Sequence, residues 1–104
     1  MVTRFTAMQS MLEKQIVAQI MRYLKTVPHC FAWKEHGGPH GTAGLPDIIC
    51  CYRGRFVGLE VKTPSGKLTK LQESTLQRIQ AAKGQAFKVI SVGEVKEIFQ
   101  KLHA

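Results

Sequence analysis

The stretch Gly44–Lys62, GLPDIICCYRGRFVGLEVK, holds the only aspartate of the chain, Asp47, followed by Glu60 and Lys62. Two carboxylates and an ammonium can do chemistry together only if the chain folds back between them. Asp47–Tyr52 and Phe56–Lys62 read as strands, because β-branched and aromatic residues cluster there between turn formers. A reversal centred on Arg53-Gly54, with Gly54 supplying positive φ, sets Tyr52 opposite Arg55 and, counting outward, Asp47 opposite Glu60. Opposed side chains of an antiparallel pair have Cβ atoms roughly 4.5–5.5 Å apart, so two acids so placed repel unless a cation lies between them. Lys62, two residues past Glu60, projects from the same strand face. The pattern predicts a divalent-cation site with a lysine beside it.

A plainer reading has the same residues as ordinary strand and turn chemistry, since Pro-Asp opens many turns and Glu-x-Lys suits any half-exposed strand. The neighbours weigh against it. Ile48, Cys50, Tyr52, Val57, Leu59 and Val61 would line one face of the pair and Ile49, Cys51 and Phe56 the other, as in a sheet covered on both sides. Charges in such a sheet are costly unless paired or metal-bound. The register depends on the turn: a three-residue loop would carry Asp47 to the other face.

The surrounding elements must position this hairpin. From about Ser10 to Lys25, Leu12, Ile16, Val17, Ile20, Met21 and Leu24 recur at helical spacing and form one apolar stripe. Glu13 falls near the middle of that stripe at about 100° per residue. Ser10-Met11-Leu12-Glu13 has the form of a capping box, which is one reason for a glutamate there. A role in the same site as Asp47 and Glu60 is the other. Cys30–Glu35 reads as a strand with Phe31 and Trp33 on one apolar face. The following segment, His36 to Gly44, is too rich in glycine for a regular element and is either a lid or nucleic-acid-contacting loop, or a plain connection.

A second helix is expected from about Thr69 to Lys83, with Leu68, Leu76 and Ile79 inward and Gly84 stopping it. Gln72 lies on its buried stripe, yet Thr69-Lys70-Leu71-Gln72 is also a capping box, so two readings stand for Gln72 as well. Gln85–Ser91 reads as a last strand and Val92–Leu102 as a closing helix with Val95, Ile98, Phe99 and Leu102 inward. The order α-β-β-β-α-β-α predicts a single α/β domain over residues 1–104, with a mixed sheet flanked by helices.

Pro46-Asp47 followed across a hairpin by Glu60-Val61-Lys62 resembles the PD-(D/E)xK nuclease signature. The fuller set, Gly44-Leu45-Pro46-Asp47-Ile48-Ile49, Gly58-Leu59-Glu60-Val61-Lys62-Thr63 and Leu71-Gln72, resembles the virus-type replication-repair nuclease (VRR-NUC) domain over nearly the whole chain. The resemblance implies a restriction-endonuclease-like core and phosphodiester hydrolysis with Mg²⁺ or Mn²⁺. It implies that Asp47, Glu60 and the Val61 carbonyl hold the metal, with Glu13 completing the shell, and that Lys62 and Gln72 act on water or on the phosphoryl group. Stand-alone members resemble homodimeric Holliday-junction resolvases, so a homodimer on branched DNA is the expected assembly.

Charge agrees with such a partner. Fifteen Lys and Arg against seven acids give a formal net charge of +8, and 44% hydrophobic residues suffice for a core,. An anionic membrane surface comes next, since charge alone does not separate such partners; DNA is the expected partner, and no membrane. Lys34, Arg53, Arg55, Lys67 and Lys70 are the candidate phosphate contacts. No apolar run approaches the ~20 residues that span a bilayer, and the N-terminal residues lack the form of a secretory signal. Three cysteines without a C-x-x-C pair argue against a disulfide framework and against zinc at Cys30, His36 and His40, and fit a reducing, cytoplasmic setting,. The glycine-rich segment lacks the Gly-Lys-Ser/Thr of a phosphate-binding loop, and no small-molecule cofactor is expected.

Overall fold

The computed structural model describes residues 4–36 and 41–103. Its seven elements follow the expected order: α1 (Arg4–Leu24), β1 (Cys30–Lys34), β2 (Ile48–Tyr52), β3 (Arg55–Val61), α2 (Lys70–Ala81), β4 (Gln85–Val89) and α3 (Val92–His103). The strands form one sheet in the order β1-β2-β3-β4. β1 with β2 and β2 with β3 are antiparallel, whereas β4 runs parallel to β3 because α2 carries the chain back between them,. The sheet is therefore mixed and the class α/β.

The register comes from the β2–β3 turn. Arg53 (φ 51°) and Gly54 (φ 82°) are both left-handed, the signature of a two-residue type I′ turn, whose twist matches that of the flanking strands. Tyr52 pairs with Arg55 and the ladder runs out to Ile48 opposite Leu59. One step further, Asp47 stands opposite Glu60.

The two faces of this sheet are unequally covered. Val57, Leu59, Val61, Ile48, Cys50 and Tyr52 pack under Val17, Ile20 and Leu24 of α1 and Val95 and Phe99 of α3. Fully burying each large side chain of this set is worth about 1.5–3 kcal/mol, so this layer is the main core. On the opposite face α2 packs on β3 and β4, and Pro46 lies against Gly58. Ile49 is buried there as expected, but Cys51 is exposed and Phe56 is 44% exposed. The expected two-sided cover thus stops short, because one twelve-residue helix cannot roof four strands. The apolar face of β1 meets solvent as well, with Phe31 71% exposed and its ring centre 5.7 Å from that of Trp33, tilted by 43°.

The helix ends correct two local expectations and bear out a third. α1 spans Arg4–Leu24, so Ser10 sits inside it and caps nothing. The Ser10–Glu13 pattern mimics a start signal in mid-helix. At α2, the Thr69 capping box forms as expected, Thr69 Oγ1 accepting from the Gln72 amide at 3.1 Å and Gln72 Oε1 accepting from the Thr69 amide at 2.9 Å. At its other end Lys83 (φ 75°), rather than Gly84, takes the left-handed position. Gly84 N–H reaches Ile79 O and Lys83 N–H reaches Gln80 O, the paired bonds of a Schellman motif,. Gly84 is required for room instead, since a Cβ there would lie 2.8 Å from Ile79 Cγ2.

Candidate active site

Asp47 and Glu60 sit where the β2–β3 ladder runs out. Asp47 Oδ2 accepts a hydrogen bond of 2.8 Å from the Val61 amide, which locks the carboxylate against the edge of β3. Glu60 is 3% exposed. Burial pushes its carboxyl up to about 9, and a hydrogen bond to Asp47 and the charge of that carboxylate push the same way, with Lys62 pulling down and Glu13 pushing up more weakly. Where burial and a neighbouring carboxylate both disfavour the ionised form of an acid, a bound cation would be stabilising.

Lys62 continues β3 past its last paired residue, its amide donating to Val89 O at 2.9 Å. Its Nζ lies 3.8 Å from Glu13 Oε1, across from the middle of α1. With the capping box absent, this contact is the structural reason for an acid on that helix face. Gln72 makes the cap and also borders the cleft. Its carbonyl oxygen serves the α2 cap, while its amide nitrogen has no protein partner among the described residues and the side chain lines the cleft. Glu13, Asp47, Glu60, Lys62 and Gln72 all border one cleft of about 390 Å³, together with Ser10, Lys14, Val17, Lys34, Glu35 and His36.

The remaining basic candidates divide by position. Lys34 lies on the cleft wall. Lys67 and Lys70 are exposed at the approach to α2, outside the cleft lining. Arg53 and Arg55 are at the far end of the hairpin, about 17 Å of strand from Asp47 at ~3.4 Å per residue. There Arg55 Nη1 donates to Leu102 O at 2.8 Å and the Arg53 guanidinium sits 5.7 Å from the centre of the Tyr52 ring. Gly37 to His40, the middle of the glycine-rich segment, lie outside the described residues, and with them the lid and the His40 part of the zinc reading. Lys14 and Glu35 are cleft residues that sequence reasoning missed. Glu35 N donates to Asp47 O at 2.8 Å and its carboxylate accepts from Trp33 Nε1 at 2.7 Å. Its position follows from the β1–β2 register, which no local pattern reveals.

Among the described residues no three His, Cys, Asp or Glu side chains gather into a metal cage. The donors that do converge are hard oxygens from Asp47 and Glu60. The Val61 carbonyl leaves the chain on the same edge as its amide, the Asp47 side. Two carboxylates and a carbonyl suit Mg²⁺ or Mn²⁺, which keep several waters and complete their shell with substrate phosphate. Among the described residues no helix is long and apolar enough to cross a membrane.

No protein-family model and no curated protein matches the sequence. Solved structures share its fold, two of them as follows. A VRR_NUC domain superposes with a TM-score of 0.71 at 19% identity, over 86% of this chain and 95% of that one. A VRR_NUC domain protein does so with a TM-score of 0.65 at 16% identity, over 86% of each chain. At such identities the likeness is one of fold, and the chain has the VRR-NUC domain fold that its motifs resemble.

Proposed function

We propose that this chain is a nuclease of the PD-(D/E)xK type that hydrolyses DNA phosphodiester bonds with Mg²⁺ or Mn²⁺, acting as a homodimer on four-way junctions. The observation that carries the reading is the opposition of Asp47 and Glu60 at the end of the β2–β3 ladder, one tied to the Val61 amide and the other buried with a raised pKa, beside Lys62. Asp47, Glu60 and the Val61 carbonyl would hold the ion, with Glu13 within reach. When bound, the ion supplies Lewis acidity toward the phosphoryl oxygen and acidifies a bound water. Lys62, steadied by Glu13, orients the attacking water or stabilises charge on the pentavalent phosphorus. The free amide nitrogen of Gln72 donates to that water. Glu60 must give up its proton as the ion enters, so ion affinity rises with pH.

A homodimer suits the reading because two symmetry-related sites match the symmetry of a four-way junction. The bare strip of Phe31, Cys51 and Phe56 is a surface available for such pairing. Three unpaired cysteines fit a reducing, cytoplasmic setting,.

The test is incubation of pure protein with four-way-junction, flap, splayed-arm and linear duplex DNA in Mg²⁺, Mn²⁺ or EDTA. Symmetric nicking of the junction, dependent on the ion and lost in Asp47→Ala, is the expected result. Cutting of flaps or plain duplex instead would make it a repair nuclease. Binding without cleavage on every substrate would leave only a DNA-binding module on a nuclease fold.

A further inference from the structure

A second groove opens off the catalytic cleft along α1. It has a volume of about 360 Å³ and shares Lys14, Val17 and Lys34 with the cleft. Four of its seven lining residues are cations, Lys14, Arg22, Lys25 and Lys34, and none is acidic. Lys14, Arg22 and Lys25 stand at i, i+8 and i+11, within about 80° of one another around the helix, so they form one row. The helical pattern carries into Lys25, whose amide donates to Met21 O at 3.1 Å. At about 1.5 Å per residue the row spans roughly 17 Å, the length of about five nucleotide steps at 3.4 Å.

We infer that this groove carries the phosphate backbone of a DNA strand away from the scissile bond. Lys14 and Lys34 would take the phosphates nearest the site, and Arg22 and Lys25 those further out. The inference rests on the nuclease reading for the destination of the strand, but it concerns residues that touch none of the reacting groups. Charge complementarity argues for it: a concave row of cations without a single anion repels itself until a polyanion fills it. The shared wall argues for a strand rather than a flat anionic surface, because the row leads into the cleft in which a phosphodiester would be cut. Arg22 and Lys25 are exposed, so replacing them leaves the core intact.

The test is binding of a short labelled duplex in EDTA, followed by fluorescence anisotropy across a salt series. Each phosphate contact adds about 0.9 to the slope of log K against log salt. Arg22→Gln/Lys25→Gln is expected to flatten the slope by about 1.8 and to weaken binding roughly thirtyfold at 0.15 M salt relative to 1 M. Arg22→Lys/Lys25→Arg should restore the wild-type slope. Arg78→Gln/Lys101→Gln, which removes two exposed charges elsewhere, should keep it.

Equal slopes for the two neutralised pairs would overturn the groove assignment, as would loss of binding to phosphatidylserine vesicles by the groove pair with its DNA slope unchanged. Because the assay contains no divalent ion, its outcome is separate from that of the cleavage test. A protein that never cuts DNA yet shows the difference keeps the groove and loses the nuclease reading. One that cuts while the two pairs behave alike loses the groove alone.

Discussion

The two ends of the β2–β3 hairpin are made from the same strands and handle their polar groups in opposite ways. At the turn end, Arg55 is spent on the Leu102 carbonyl, Arg53 lies by the Tyr52 ring, and Tyr52 Oη is 3.4 Å from His103 Nδ1. The last turn of α3 covers that end and gives these groups protein partners. At the other end, a backbone amide that would serve a ladder is given to the Asp47 side chain, and Glu60 is buried against a second acid. Thr63 Oγ1, just beyond, is buried without a hydrogen-bond partner among the described residues. Buried polar groups are nearly always paired in folded proteins, so the end with unmet demands is the one shaped for something that is not protein. The difference also shows why two arginines near the turn and two carboxylates near the edge, equally conspicuous in the sequence, have different prospects.

The largest test of this contrast is loss of the acids. Asp47→Ala or Glu60→Ala is expected to lower divalent-dependent cleavage by at least about 10³-fold, and Lys62→Ala by about 10²–10³-fold, while DNA binding in EDTA persists. Wild-type rates for Asp47→Ala in protein purified free of metal would sink the site. The next effect is on stability. An acid whose folded pKa of about 9 exceeds its ordinary 4.5 takes up a proton on folding. Its favourable contribution is complete below about pH 4.5 and is lost as pH rises through 9. In EDTA the melting temperature of the wild type should therefore fall between pH 5 and 9 relative to Glu60→Gln, which has no such titration. Parallel profiles for the two proteins would show that Glu60 is not held protonated.

Gln72 tests whether one side chain serves both structure and chemistry. Gln72→Glu keeps an acceptor for the Thr69 amide but removes the amide nitrogen from the cleft,. It should retain the helix while cleavage drops about 10–100-fold. Gln72→Ala should in addition cost about 1 kcal/mol of stability, the usual value of a cap. A fully active Gln72→Glu would confine the residue to capping. The smallest effect belongs at the far end: Gly54→Ala places a Cβ in open space at φ 82°, so its cost is backbone strain alone, about 1–2 kcal/mol. Chemical denaturation should register that loss, with the cleavage rate of the folded protein unchanged. A large fall in rate would mean that the two ends are coupled through the ladder.

The hairpin was legible at Arg53-Gly54, but its turn length, which decides which side chains oppose one another across β2 and β3, was not: a three-residue loop stayed open until the left-handed Arg53 and Gly54 showed a two-residue turn,. Period was legible everywhere, but direction was not. Phe31 and Trp33 alternate as a strand should, yet alternation cannot say that α2 ends short of β1. Likewise the basic charge of the chain was plain, while its layout depended on the sheet order. Arg53 and Arg55 went to the closed end, and Lys14, overlooked beside the apolar stripe of α1, went to the cleft. Ser10-x-x-Glu13 misled because a capping box is a local pattern that mid-helix residues can satisfy by spelling alone. The contact that explains Glu13, with Lys62, joins residues far apart in the chain and leaves no local trace.

The bond from the Val61 amide to Asp47 makes one backbone proton a gauge of the acid. In a uniformly ¹⁵N-labelled sample, the resonance of that amide and its rate of exchange with deuterium oxide report whether the aspartate is seated. They do so in the absence of nucleic acid and whether or not turnover can be detected.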